Sequence, residues 1–291
     1  MALTITTFID YENEIKDQFK IPETLKLEKI AVRRLNQKPL FELDLDTLNE
    51  FYKKVSQFNV VLYDPLLPNY NLSVQTEVDD FDSKFQKVLE IAKKLKTNVL
   101  VYDLPTTKSY ETDKTLIIEQ IKNHLKLAKK SKVTLVIRPQ DNYQTHDYRD
   151  ILETIHDDKL KIIFDPLYLY QKEEAAIAYI RILRNYIGIF IVDDKDPIAP
   201  RFITTSGFIP LKDLFKRFKT NKFDGIICLN SSLMDMLYQA KNYKKLELML
   251  SKKKRHEVKI LNSYLIEYEI VDTIHIIKEQ LKLLNIEFMK K

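Results

Sequence analysis

The stretch Leu160-Lys-Ile-Ile-Phe-Asp-Pro166, LKIIFDP, is an apolar run that stops on an acid and a proline. Similar runs surround it: FNVVLYDP (58–65), TNVLVYDLP (97–105), KVTLVIRP (132–139), IGIFIVDDKDP (187–197) and FDGIICLN (223–230). Each is short, rich in β-branched residues and almost unbroken in hydrophobicity, the pattern of a strand buried on both faces of a parallel sheet. Helix-period segments lie between them. Phe81, Phe85, Val88, Leu89, Ala92 and Leu95 share one helical stripe, and Ile117, Ile121, Leu125 and Ala128 share another. Asp79, Asp80 and Asp82, then Glu111 and Asp113, put negative charge where a helix start favours it.

The strand ends recur roughly 27 to 39 residues apart, the length of one strand-plus-helix unit. Two further strands fit at the N-terminus, LTITTFI (3–9) and LEKIAVRRL (27–35), the second followed by a helix over 45–58. Eight such units, with no glycine-rich phosphate fingerprint after the first strand, favour a (β/α)8 TIM barrel over an open doubly wound sheet. The barrel is expected over residues 1–230. From 231 to 291 the pattern is helical, through LMDMLYQAKNYKKLELML and EIVDTIHIIKEQLKLLNI. Val271, Ile274, Ile277, Leu281 and Leu284 form an apolar stripe there, so these additional C-terminal helices are expected to pack on the barrel or on the partner of a homodimer.

Composition narrows the function. A chain of 291 residues, 45% hydrophobic and 31% charged, can bury a sizeable core. No run has the apolar length of a membrane span, and the N-terminus lacks the basic start and apolar core of a signal peptide, so a cytoplasmic protein is expected. The single cysteine, Cys228, lies in the apolar run GIICLN and reads as a small core residue. The net charge of +5 comes from 47 basic and 42 acidic residues that are mostly interleaved along helices. The one dense basic run, SKKKRHEVK (251–259), reads as a solvated loop, and no basic groove with interleaved aromatics points to nucleic acid.

In such a barrel, functional residues come from the C-terminal ends of the strands. The polar residues there are Arg33 and Arg34, Asp64, Tyr102 and Asp103, Arg138, Asp165, Asp193 to Asp196, and Asn230. Asp-Pro is also a good turn starter, which is the simpler reading of Asp64 and Asp103. Of the five histidines, His124, His156 and His275 read as packing or surface residues. His146, in the loop after Arg138, is the one placed to reach a ligand.

At this point the sequence resembles the xylose isomerase-like barrel superfamily of sugar and sugar-phosphate isomerases and epimerases, which also includes endonuclease IV. The resemblance is carried by IIFDP, by IFIVDDKD and by TTSGFIPLKDLFKRFKTNKFDGIICLN, with EKIAVRRLNQKPLFELDLDTLNEF near the start. Gly207 and Gly225 fall where that pattern places glycine. The resemblance implies a divalent metal held by a glutamate, an aspartate, a histidine and a glutamate after strands five to eight. Carried over, those positions are Arg138, Asp165, Asp193 and Asn230, so one ligand of four is kept, while Lys195 and Asp196 match the Lys-Asp after the family histidine.

A permanent cation at Arg138 puts positive charge where the metal would sit, so no metal cofactor is expected. Were Mg²⁺ or Mn²⁺ held, its ligands would be Asp165, Asp193 and Asn230. An Arg138–Asp165 ion pair is expected instead. The expected function is that of a sugar or sugar-phosphate isomerase/epimerase-like barrel binding a small carbohydrate or other anionic metabolite at its mouth. Asp165 and Asp193 would serve as acid-base groups and Lys195 would polarise a carbonyl. Arg33, Arg34, Arg138, His146, Asp196 and Asn230 would bind the ligand. The alternative is a non-catalytic, degenerate barrel that binds a metabolite or a protein. A catalytic site needs open space beside Asp165, His146 and Lys195, whereas a degenerate one has it filled by Arg138, Tyr102 and Tyr168. A metal-dependent DNA-repair activity of the endonuclease IV kind is the remote third reading, because its histidine-rich zinc site has no counterpart here.

Overall fold

The computed structural model describes residues 3–194, 207–231 and 272–289, with residues 251, 252, 255, 256 and 259 between them. Eight parallel strands are present: β1 (Thr4–Thr7), β2 (Lys29–Val32), β3 (Asn59–Tyr63), β4 (Val99–Tyr102), β5 (Thr134–Ile137), β6 (Leu160–Phe164), β7 (Ile187–Val192) and β8 (Ile226–Leu229). They hydrogen-bond in the order β1-β8-β7-β6-β5-β4-β3-β2. A parallel bridge from Phe8 to Ala31 links the residue after β1 to β2. This is the strand order of a (β/α)8 TIM barrel. All four residues of each of β4, β5 and β8 are buried, as unbroken hydrophobic runs require.

The chain divides into two compact units, residues 8–190 and residues 1–7 with 191–291. The larger holds β2 to β6 and helices α1 (Ile15–Leu25), α2 (Leu45–Val55), α3 (Gln75–Leu95), α4 (Tyr110–Lys130), α5 (Thr145–Ile155), α6 (Pro166–Gln171) and α7 (Ala176–Leu183). A short antiparallel hairpin, Arg34–Leu35 against Lys38–Pro39, follows β2. The smaller unit contains β1, β8, α8 (Leu211–Thr220) and α9 (Thr273–Met289). There α9 lies against β1 and α8, and Phe288 meets Phe215 edge-on at 4.9 Å. Gly207 is dictated by contact, since a Cβ at that position would sit 2.1 Å from Asp194 Oδ1. No helix among the described residues is long and apolar enough to cross a membrane.

With so few glycines, the chain turns its corners with other residues. Nine non-glycine residues among those described have positive φ, including Lys26, Lys96 and His156, which close α1, α3 and α5. Each places a Cβ in the left-handed region that glycine tolerates best.

The helix layer over β4 is organised around one buried polar chain. Phe81 and Phe85 of α3, with Tyr102, enclose His124 of α4, which is 2% exposed. The Asp82 carboxylate, an acceptor only, lies 2.8 Å from His124 Nε2 and also accepts from Gln120. The ring nitrogen Nε2 therefore carries the proton, and Nδ1 accepts from the Tyr102 hydroxyl at 2.7 Å. Burial holds the imidazole below its ordinary value of 6.5, against the opposing pull of Asp82. A histidine with a depressed folded-state pKa contributes stability that is present above pH 6.5 and lost as the pH falls, because the unfolded chain then binds more protons. Stability measured by urea unfolding should fall between about pH 7 and pH 5, and His124→Gln should flatten that slope.

Candidate functional site

In the larger unit, five strands deliver a charged residue in the first position after their last strand residue. Arg33 follows Val32, Asp64 follows Tyr63, Asp103 follows Tyr102, Arg138 follows Ile137 and Asp165 follows Phe164. The ladder persists one step beyond the strands, with Asp64 N donating to Val32 O and Arg138 N donating to Tyr102 O, each at 2.9 Å. Parallel pairing thus brings these side chains to one edge of the sheet.

Arg138 joins three of the strands. Its Nε donates to Asp103 Oδ1 at 2.7 Å, while Nη2 and Nη1 fork onto Asp64 Oδ1 and Oδ2 at 2.5 and 3.2 Å. The Asp64 and Asp103 side chains are only 4% and 6% exposed, whereas Arg138 keeps 31% of its surface open. Burial works to lower the Arg138 pKa, but Asp103 and Asp64 outweigh it and push the value up, so the guanidinium is a fixed cation. Burial pushes the Asp103 carboxyl up, aided by the charge of Asp64 and opposed by Arg138. Asp103 Oδ2 is buried without a hydrogen-bond partner. Asp64 also accepts from Leu66 N at 3.2 Å, so the turn reading of this Asp-Pro corner and its ion pairing hold together.

A second cluster lies beside the first. Asp10, with a side chain 1% exposed, receives two bonds from Arg33 at 3.0 Å each and a third from Arg34 Nε at 2.6 Å. Arg33 also covers the Phe8 ring at 4.2 Å. Both arginines reach one carboxylate because Arg34 belongs to the antiparallel hairpin rather than to β2, and strand alternation does not separate them. Sequence reasoning missed Asp10, although LTITTFID ends on an acid just as the later runs do.

Two expectations are corrected. The Arg138–Asp165 pair does not form. Asp165 instead caps α6, its Oδ1 accepting from Tyr168 N at 3.0 Å, with Pro166 opening the helix. Tyr102 does not fill the mouth, because its hydroxyl turns into the helix layer toward His124. Tyr168 donates its hydroxyl to Asp141 at 3.1 Å. His146, at the start of α5, is 68% exposed and lies 3.1 Å from Asp147 Oδ1. In the smaller unit, Asp193 Oδ1 accepts from Asp194 N at 2.9 Å, and Asn230 N donates to Val192 O at 3.0 Å. Lys195 and Asp196 lie outside the described residues.

These strand ends can be set beside known proteins. The family model of the xylose isomerase-like TIM barrel matches residues 28–249. The chain belongs to this family. Solved structures of similar fold include 3-keto-D-glucoside 4-epimerase from E. coli, with TM-score 0.61 and 13% identity over 79% of this chain and 91% of the other. D-psicose 3-epimerase from Clostridium cellulolyticum H10 gives TM-score 0.62 and 12% identity over 90% and 97%. A xylose isomerase-like TIM barrel protein from Mycobacterium smegmatis, solved in complex with magnesium, gives 0.57 and 12% over 91% and 97%. Among curated proteins none matches.

The family resemblance implies a metal, and the donors present do not fit one. Arg138, which the resemblance sets at a ligand position, has no lone pair to give and is itself the cation between two carboxylates. Asp165, which the resemblance matches to a ligand, holds a helix N-terminus. Among the described residues no group of three or more His, Cys, Asp or Glu side chains is arranged to hold a metal ion.

Two substitutions check this electrostatic account. Arg138→Met leaves two buried carboxylates uncompensated and should cost about 3–5 kcal/mol in urea unfolding. Burial raises the Asp165 pKa above its ordinary 3.8, against the backbone bonds of α6 and the charge of Arg138, so this group's contribution to stability is present below pH 3.8 and lost as the pH rises. Asp165→Asn keeps a cap acceptor and removes that loss. The variant should be at least as stable as the parent at about pH 7, and the difference should vanish near pH 4.

Proposed function

We propose that this family member binds a small anionic carbohydrate, such as a sugar phosphate or sugar acid, at the C-terminal ends of its strands, with arginines in the role its relatives give to a divalent metal. What carries the reading is the pair of clusters Asp10–Arg33–Arg34 and Asp64–Arg138–Asp103. Their guanidinium groups are fixed in place by buried carboxylates, yet Arg34 and Arg138 remain 32% and 31% exposed. Arginine held in this way offers outward N–H groups to a phosphate or carboxylate without first losing rotamer freedom.

The chemistry that fits is proton transfer next to a carbonyl, as in isomerisation and epimerisation. Such a step needs a carboxyl whose pKa is moved toward neutrality. Asp103 and Asp165 are both shifted upward by burial, and Asp103 retains an oxygen without a hydrogen bond. Arg138 beside it would stabilise the negative charge that develops on the carbonyl oxygen. A second, non-catalytic reading draws on the capping role of Asp165, which ties the residue that the resemblance matches to a ligand to structure rather than chemistry.

The test uses a panel of sugar phosphates and sugar acids with a chelator present, scored by thermal shift and by NMR detection of carbon-bound hydrogen exchange in D₂O. Binding with exchange, reduced at least about 10-fold by Arg34→Gln, is the expected result. Binding without exchange selects the non-catalytic reading. Binding that requires Mg²⁺ or Mn²⁺ overturns the arginine-for-metal reading.

A further inference from the structure

At the opposite end of the strands, the last third of α4 carries an unusual charge pattern. From Lys122 to Lys132 there are five lysines and no acidic residue. Lys122, Lys126 and Lys130 follow one another at i, i+4 and i+8, so they share a face, and like charges at that spacing weaken a helix. The other described helices set at most two lysines in such a row, as at Lys212–Lys216 and Lys278–Lys282, and some pair opposite charges there, as in Asp80–Lys84 and Arg149–Glu153. The helix dipole accounts for Lys129 and Lys130 in the last turn, but its effect fades within one turn and does not reach Lys122 or Lys126.

The lysines surround a recess. A cavity of about 280 Å³ lies between α4 and α5, lined by Lys122, Lys126, Lys129 and Lys130, with Leu125, Ile155 and Asp157. The four lysines are exposed, and Leu125 is buried. Asp157 pairs with Lys129, while Lys122, Lys126 and Lys130 form no ion pair among the described residues. Three uncompensated ammonium groups thus face a concave space near the lower end of the ~300–1,000 Å³ usual for small-molecule sites. Compact point charges on flexible stems suit clustered phosphate oxygens rather than the planar carboxylate fork that arginine matches. The recess is too small for a duplex, and the lysine face carries no aromatic residue on which a base could stack.

We infer that the α4–α5 recess is a second ligand site, independent of the strand-end arginines, that takes a small, multiply phosphorylated anion. Its bound anion relieves the repulsion along the lysine stripe. The repulsion and the site are two consequences of one arrangement.

The full chain should be titrated with inorganic tripolyphosphate by calorimetry at about 0.1 M salt, beside its triple variant Lys122→Gln/Lys126→Gln/Lys130→Gln. The expected result is saturable binding that weakens at least about 10-fold in the variant. The ligand-free variant should melt at a higher temperature than the parent, since the stripe no longer repels itself. That second readout also shows that the variant is folded. Any tripolyphosphate binding that Arg34→Gln removes and the triple variant keeps belongs to the strand-end arginines, which separates the two sites. Absence of saturable binding, or binding equally strong in the triple variant, overturns the inference. So does binding to RNA or to phosphatidylserine vesicles without binding to tripolyphosphate, which would mark an extended polyanion surface instead.

Discussion

Two carboxylates buried at the ends of neighbouring parallel strands cannot remain ionised without a cation, and Arg138 supplies it. The position of that guanidinium fixes much else in the larger unit. It links the ends of β3, β4 and β5, leaves Asp165 free to cap α6, and is a monovalent, permanently charged group with no lone pair to offer a metal. The scaffold can keep its strand order with such a group there because the barrel's stability comes from its hydrophobic strands and helix stripes, whereas its chemistry sits on the first residue beyond each strand.

The fold was legible because two periodicities alternate cleanly. Runs such as TNVLVYD and KVTLVIR have no amphipathic alternation, and the Phe81–Phe85–Val88 stripe that separates one pair of runs has helical spacing. The list of charged strand ends was legible for the same reason, since Asp64, Asp103, Arg138 and Asp165 each follow directly on a buried run. Partnership was not. Which carboxylate meets Arg138 depends on strand stagger and rotamer, and the resemblance to a metal site drew attention to Asp165 when the nearer partners were on β3 and β4. Asp10 is harder to see because the apolar run LTITTFI ends at Ile9 and the acid after it lacks the following proline of Asp64, Arg138 and Asp165. The buried relay Asp82–His124–Tyr102 was hidden for a different reason. Three residues distant in sequence are joined there by packing of α3 and α4 over β4, and the place of His124 within a helix allows a packing or a surface role alike.

The charges at the two ends of the strands in the larger unit also differ in kind. At the C-terminal ends, arginines are held by buried aspartates in two-point contacts. At the other end, lysines of α4 stand exposed to solvent. Rigid forks suit selective recognition of one anion geometry, while flexible ammonium groups respond mainly to charge density. The distinction arises from neighbouring carboxylates rather than from net charge, which is why the overall +5 of the chain describes neither end.

The left-handed residues that close α1, α3 and α5 carry a consequence for cooperativity. Lysine and histidine at φ near +50° adopt a conformation they seldom hold alone, so those corners are maintained by what surrounds them. That support begins in the helix itself, since the N–H of Lys26, Lys96 and His156 returns to Glu23, Lys93 and Leu152 in the last turn. Each helix and the left-handed residue that closes it are thereby made to form and melt together.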